Sequence, residues 1–222
     1  MFATLMIPMM VMRAKVFPST RRPFVDFKVL REVPFDLFSL GFFFGMMGMY
    51  IPFYYMSTYS IENDILEESL GFYLLTIINA ASVFGRIVPN FFADTVGLLN
   101  ISAPFCCACA IIAFCWTSVS SPGQAIVFSI FYGFFSGTFV SISPVALATL
   151  APDLSLVGTH MGMGFTCGAL GLLIGNPVAG LLLDSYGWIG PAMFCGASSA
   201  LAACFVLMAR IAKTGRVVMV KA

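Results

Sequence analysis

Charged residues and histidine are scarce in this sequence. Asp, Glu, Lys and Arg together make up 9% of the 222 residues, and there is one histidine. Soluble globular domains carry about 25% charged residues, so this scarcity excludes an ordinary soluble domain. The formal net charge of +1 gives no basis for nucleic acid binding.

Groups for enzymatic chemistry are also lacking. The sequence has no Ser/His/Asp arrangement and no phosphate-cradling glycine loop, and His160 alone offers little for acid–base catalysis. Nearly all of the seven cysteines lie inside apolar stretches, and the cluster from Cys106 to Cys109 has no histidine or carboxylate neighbour to complete a metal site. The protein is therefore not expected to be an enzyme or to hold a cofactor or a metal.

Long apolar stretches are what the sequence has in abundance. Hydrophobic residues make up 60% of the chain, and six stretches have the roughly 20 residues that a helix needs to cross a bilayer. The sequence thus predicts an all-α integral membrane protein with a six-helix transmembrane bundle over residues 34–211. The predicted spans are Pro34–Ser57, Ser69–Phe92, Leu98–Trp116, Gln124–Leu150, Thr159–Leu183 and Trp188–Ile211.

Basic residues cluster at the two ends of the chain. Six precede the first predicted span and four follow from Arg210 onward, whereas the loop after the first span carries four carboxylates and no basic residue. By the positive-inside rule, this asymmetry places both termini in the cytoplasm. Residues 1–33 are predicted to form a cytoplasmic segment and linker, with the end of a truncated helix as an alternative for its apolar start. Residues 212–222 are predicted to be a cytoplasmic tail.

Glycines recur at four-residue spacing in several spans. Small residues at this spacing allow helix backbones to approach closely in a bilayer, so these pairs predict close helix packing. The pairs are Gly41/Gly45, Gly133/Gly137, Gly158/Gly162, Gly164/Gly168 and Gly171/Gly175.

Arg86 is the only basic residue that the sequence places deep inside an apolar span. An ionisable group in hydrocarbon is costly, and it persists where it faces a cavity, a partner charge or a substrate. At 100° per residue, one helix face of this span carries a polar stripe, which favours a helix that lines a water-filled or substrate-filled cavity. As alternatives, Arg86 snorkels to the headgroups or pairs with Asp94. The stripe consists of Thr76, Asn79, Ser82, Arg86 and Asn90.

The second span and the loop that follows it carry a recognisable motif. The stretch Gly85-Arg86-Ile-Val-Pro-Asn-Phe-Phe-Ala93-Asp94-Thr-Val-Gly97 resembles the G-R-x6-A-D-x2-G signature at the inner end of the eighth helix in major facilitator transporters. The residues from Asn79 to Arg86 are similar to the monocarboxylate porter branch, particularly its fungal members. The resemblance implies a six-helix half, equivalent to helices seven to twelve of a twelve-helix secondary transporter that works by alternating access.

The resemblance also implies roles for individual residues. Arg86 matches the arginine that contacts the substrate carboxylate, which its planar guanidinium can meet with two hydrogen bonds. Asn79 and Ser82 lie beside it as further substrate-binding candidates. The family implies proton coupling, but Ser82 stands where animal members carry the aspartate that takes part in it, and serine cannot hold a proton over the physiological range.

The remaining motif residues and the partners follow from the same resemblance. Gly85, Asp94 and Gly97 are expected to form the conformational loop motif. The expected partners are the lipid bilayer, a small organic anion such as a monocarboxylate, and a second half or a second copy of the chain, which is expected to be a truncated half. The plasma membrane is the expected location. The alternative is a non-transporting membrane interaction or regulatory protein that retains the half-fold.

His160 is expected to be a solvated histidine at the inner start of the fifth span. A pH-sensing role is the alternative, because the ordinary pKa of histidine lies near neutrality.

Overall fold

The computed structural model describes residues 32–151 and 156–215. Within these ranges all regular secondary structure is helical, which confirms the all-α membrane fold class. The predicted cytoplasmic segment 1–33, except for its last two residues, and residues 216–222 of the predicted tail lie outside the described residues. The helices are α1 (Val33–Met49), α2 (Ile51–Glu62), α3 (Glu68–Val96), α4 (Leu98–Phe114), a short 3-10 helix (Trp116–Ser118), α5 (Pro122–Thr149), α6 (Val157–Tyr186) and α7 (Ile189–Thr214).

Five spans of the described chain are long and apolar enough to cross a bilayer. The first, Val33–Glu62, consists of α1 and α2 in succession, and the others are formed by α3, α5, α6 and α7. The helix α4 has 17 residues, which corresponds to a length of about 26 Å. This is slightly shorter than the roughly 30 Å hydrocarbon core of a bilayer. The six predicted spans thus correspond to the described helices, with α1 and α2 together forming the first, and the span formed by α4 is the shortest.

The first span is not one continuous helix. It is interrupted at Tyr50, where α1 ends and α2 begins at Ile51. Pro52 lies in the first turn of α2, and proline lacks the N–H that a continuing helix would use. The break lies near the middle of the span.

The helices pack in pairs around a common core. The helix α3 lies along α5, α1 packs against α6 and α7, and α4 packs against α5 and α7. The aromatic side chains of Phe35, Phe38 and Phe42 on α1 are almost fully buried in this core. The first half of the first span thus lies inside the bundle.

Glycines allow several of these helices to approach each other closely. A Cβ atom built on Gly85 of α3 would lie 1.9 Å from the carbonyl oxygen of Phe134 on α5, which leaves no room for any other residue. Gly175 is equally close to the backbone of α1. These contacts confirm close packing for most of the predicted glycine pairs. Gly158 and Gly162 are the exception, because nothing lies within 4 Å of the corresponding Cβ position.

Candidate functional site

The polar stripe lies on the flank of the buried face of α3. The buried face follows the helical repeat through Leu74, Ile78, Ser82, Gly85 and Pro89. Helix periodicity then places the other stripe members at the edge of the contact with α5. The predicted stripe is therefore only partly enclosed: Thr76, Asn79 and Arg86 are exposed, Asn90 is half-buried and Ser82 is buried.

The three predicted substrate-binding residues meet at one small cavity. Asn79, Ser82 and Arg86 line it from α3, and the residues at the end of α1 and the start of α2 line it from the other side. Its volume is ≈ 60 Å³. The full lining is Met49, Tyr50, Phe53, Asn79, Ser82, Arg86, Ser136, Gly137 and Val140.

The Arg86 guanidinium has no protein partner among the described side chains. No carboxylate of the described part of the chain makes an ion pair with it, and no hydrogen bond from its guanidinium is found there. The alternative pairing with Asp94 involves a side chain that lies outside the described ones. Because a guanidinium carries five N–H donors, Arg86 can offer two of them to a carboxylate at the cavity.

The backbone of α3 holds the two smaller polar side chains in place. The Asn79 side-chain amide donates to the Leu75 carbonyl oxygen at 2.8 Å. The Ser82 hydroxyl donates to the Asn79 carbonyl oxygen at 2.7 Å. The side-chain oxygen of Asn79 and the hydroxyl oxygen of Ser82 remain able to accept from a hydroxyl or ammonium group. The second N–H of the Asn79 side-chain amide can donate to an anion.

Helix α5 fixes the position of α3 beside this cavity. Pro89 cannot donate to the carbonyl oxygen of Gly85 four residues earlier. The Thr138 hydroxyl lies 2.7 Å from that oxygen. One turn further on, the Asn90 side-chain amide donates to the Ser141 hydroxyl of α5 at 2.5 Å. The Thr138 hydroxyl thus satisfies the carbonyl that Pro89 leaves free in an apolar environment, and the Asn90 bond is a second link between α3 and α5.

Several cavity residues have no counterpart among the predicted site residues. Met49, Tyr50 and Phe53 come from the helix break, and Ser136 comes from α5. A proline two residues after a tyrosine in mid-span is the signal that could have drawn attention to this segment. No sequence signal shows that Ser136 faces Arg86, because this depends on the packing of α5 against α3.

The predicted loop motif spans the junction between α3 and α4. Gly97 has φ 95° and ψ 133°, so the chain turns there in a conformation that favours glycine. Gly85 lies twelve residues earlier in α3, where it packs against the backbone of Phe134 on α5. Asp94 belongs to the last turn of α3, and its side chain lies outside the described ones. The motif thus combines a close helix contact with a helix-to-helix turn.

The prediction of a solvated His160 is wrong. The residue lies in the first turn of α6 and is fully buried. Its Nδ1 atom is 3.1 Å from the Leu156 carbonyl oxygen, and its ring meets the ring of Phe35 on α1 edge-on, with 5.1 Å between centroids. The residue is buried because the start of α6 packs against Phe35 of α1.

An apolar helical bundle whose described part has five spans long enough to cross a bilayer is typical of a polytopic membrane protein. Residues 101–218 match the family model described as Major Facilitator Superfamily. The chain belongs to the Major Facilitator Superfamily.

Curated relatives agree with this assignment. The MFS-type transporter dbaD of Emericella nidulans is 32% identical over 209 residues, covering 93% of this chain and 47% of the relative. The aspyridones efflux protein apdF of the same organism is 36% identical, and the match covers 77% of this chain and 35% of the relative. The agnestins efflux protein AgnL12 of Paecilomyces divaricatus is 32% identical, and the match covers 97% of this chain and 51% of the relative. The chain spans about half the length of the relatives that it matches most fully.

Proposed function

We propose that this chain supplies the C-terminal six-helix half, helices seven to twelve, of a twelve-helix secondary transporter. The transporter moves a small organic anion, such as a monocarboxylate, by alternating access. The chain's membership of the Major Facilitator Superfamily supports a transporter, and the monocarboxylate porter branch is supported by the residues from Asn79 to Arg86. We place both termini in the cytoplasm and the protein in the plasma membrane.

The observation that carries this proposal is an unpaired arginine that lines a small cavity on a membrane-spanning helix. Arg86 has no partner among the described side chains, and Asn79, Ser82 and Ser136 share its cavity. An uncompensated charge within a membrane span is costly, and a bound anion would compensate it. Arg86 is therefore the proposed anion contact, with Asn79 and Ser82 beside it.

The size of the cavity fits a site that is completed from outside these helices. Its ≈ 60 Å³ is far below the roughly 300 Å³ of the smallest common ligand sites. A substrate would therefore need space on the open side of α3, where Asn79 and Arg86 are exposed. In transporters of two halves, such space lies between them.

The exposed faces of α3 and α6 support a second half, or a second copy, as the partner. In the most apolar stretches of these two helices, 28% and 22% of residues are buried, compared with at least 50% in the other three long spans. The face of α3 that carries Arg86 belongs to this exposed surface. The non-transporting interaction protein is the competing proposal, and it would use the same faces without a substrate.

The names of two relatives support a wider substrate class. One is named an aspyridones efflux protein and another an agnestins efflux protein. We propose on this basis that the direction of transport is outward and that the transported anion can also be an organic product other than a simple monocarboxylate. The aromatic side chains of Tyr50 and Phe53 at the cavity would contact its apolar body.

Transport and binding measurements on the full chain test the proposal. The chain is reconstituted into liposomes, and uptake of radiolabelled lactate and benzoate is measured for the wild type and for Arg86→Ala. Saturable uptake or binding that Arg86→Ala removes, with unchanged membrane insertion, is the expected result. Uptake that persists in the variant would reject the anion contact. Neither binding nor uptake in the wild type, alone or with a second copy crosslinked to it, would favour the interaction protein.

A further inference from the structure

The break between α1 and α2 leaves the Met49 backbone carbonyl without its helical donor. In a continuous helix, the Phe53 N–H would donate to the Met49 carbonyl oxygen four residues earlier. In the structure, it donates to the Tyr50 carbonyl oxygen instead, at 3.1 Å. The Met49 carbonyl oxygen must find another donor, because an unsatisfied carbonyl in an apolar environment is costly.

Tyr132 of α5 supplies that donor. Its hydroxyl donates to the Met49 carbonyl oxygen at 2.9 Å, in a fully buried position. The phenol ring is stacked on Phe128 with 5.5 Å between centroids, and it meets Phe53 at 6.3 Å. The ring is thus fixed on its own helix while its hydroxyl reaches the break in the neighbouring one.

A proline alone does not break a helix in this protein. The described helices continue through four prolines, Pro89, Pro104, Pro144 and Pro177. At Pro89, the freed carbonyl of Gly85 receives the Thr138 hydroxyl and the helix stays intact. Pro52 therefore permits the break, and the Tyr132 hydroxyl stabilises it.

The same break forms the wall opposite Arg86. Met49, Tyr50 and Phe53 line one side of the cavity, and Tyr132 holds the backbone at the first of them. The other wall is fixed separately, because α3 is bound to α5 through Gly85 and Thr138. Helix α5 therefore holds both walls, one by close backbone contact and the other by a single phenol.

We propose that Tyr132 is a positioning residue that holds the α1–α2 break as the adjustable wall of the Arg86 cavity. Loss of its hydroxyl frees the Met49 carbonyl and loosens the segment that carries Tyr50 and Phe53. The consequence for binding rests on the proposed function, whereas the effect on the break does not. The two parts are therefore tested by separate measurements.

Hydrogen–deuterium exchange of the purified full chain in lipid nanodiscs tests the effect on the break. Tyr132→Phe removes the hydroxyl and keeps the ring. It is expected to accelerate exchange of the Ile51 and Phe53 amides about fivefold, the factor that corresponds to one net hydrogen bond. Tyr59→Phe is the matched control, because the Tyr59 hydroxyl also donates to a carbonyl oxygen, that of Val119, at 2.9 Å. It is expected to leave exchange at the break unchanged.

Pro52→Ala gives an independent test that does not depend on the folding of Tyr132→Phe. Alanine restores the N–H at this position, so the helix can continue and the Phe53 N–H can return to the Met49 carbonyl. Exchange at the break is then expected to slow, and Tyr132→Phe is expected to have no further effect in this background. Unchanged exchange in Tyr132→Phe, or equal acceleration by Tyr59→Phe, would overturn the proposal.

Binding of radiolabelled benzoate to the same samples tests the effect on the cavity. Tyr132→Phe is expected to weaken binding at least about threefold, as one weakened wall contact would, and Tyr59→Phe is expected to leave it unchanged. Unchanged binding in Tyr132→Phe beside accelerated exchange would overturn the role at the cavity. If the wild type binds nothing, the proposed function fails, and the exchange results still decide whether Tyr132 holds the break.

Discussion

The Thr138 hydroxyl lies 2.7 Å from the carbonyl oxygen of Gly85, the oxygen that Pro89 leaves without its helical donor. The same hydroxyl is 3.0 Å from the Phe134 carbonyl oxygen of its own helix. Because it has one hydrogen to donate, the shorter contact and the missing donor at Gly85 favour the bond between the helices. Arg86 follows Gly85 directly, so this bond holds the backbone that carries the proposed anion contact.

Thr138→Val should lower the stability of the protein. Valine keeps the shape of threonine but leaves the Gly85 carbonyl without a donor, at a cost of about 1–3 kcal/mol. Thermal unfolding in detergent measures the change as a lower Tm. Thr166→Val is the control, because the Thr166 hydroxyl donates only locally, to the Gly162 carbonyl oxygen at 2.8 Å, on an exposed face. Equal Tm values for the two variants would contradict the role of Thr138.

Gly85→Ala should disrupt the contact between α3 and α5. The added Cβ would lie 1.9 Å from the Phe134 carbonyl oxygen, so the two backbones must separate. Overpacking of this kind typically costs about 1–3 kcal/mol. Gly162→Ala, in the open part of α6, should be neutral or stabilising, since alanine favours helix by about 1 kcal/mol over glycine. The difference in Tm between these variants measures the effect.

Arg86→Lys should retain part of the anion binding that Arg86→Ala loses. Lysine keeps the charge but cannot form the paired hydrogen bonds of a guanidinium with a carboxylate. Arg86→Ala is expected to weaken benzoate binding about tenfold or more, because hydrogen bonds to charged groups contribute about 1.5–3 kcal/mol. Equal affinity of Arg86→Ala and the wild type would show that the anion binds elsewhere.

Thiol labelling should follow the faces of α4 and α7. Cys107, Cys115 and Cys204 are exposed, whereas Cys106, Cys109 and Cys195 are buried. A small membrane-permeant maleimide should therefore label the three exposed cysteines in the native protein. After denaturation it should label the three buried ones as well. Peptide mass mapping identifies the labelled residues. Rapid native labelling of Cys109 would contradict the packing of α4 against the bundle.

The order of the spans and the polar face of α3 could be predicted because they depend on local sequence. Hydropathy determines where a helix can cross a bilayer, and the helical repeat places Asn79, Ser82 and Arg86 near one another. The break at Tyr50 could not be predicted in this way. It depends on Pro52 together with a hydroxyl 83 residues later in the chain.

The error at His160 has the same origin. Its position near a predicted helix start indicated solvent, but its burial depends on Phe35, which belongs to a different helix. The glycine spacing shows both outcomes within one helix. Gly171 meets the backbone of Phe43, whereas Gly162 faces open space. Spacing identifies where helices can approach, and the partner helix decides where they do.

The two walls of the Arg86 cavity differ in how freely their sequences can change during evolution. Gly85, Gly137 and Thr138 are constrained by contacts with almost no free space. The opposite wall is formed by the side chains of Tyr50 and Phe53, which are only half-buried. Substitutions at these two positions would change which apolar part of a substrate fits best, while the arginine and its supporting helices stay the same. One anion-binding scaffold could in this way serve descendants that carry chemically different cargo.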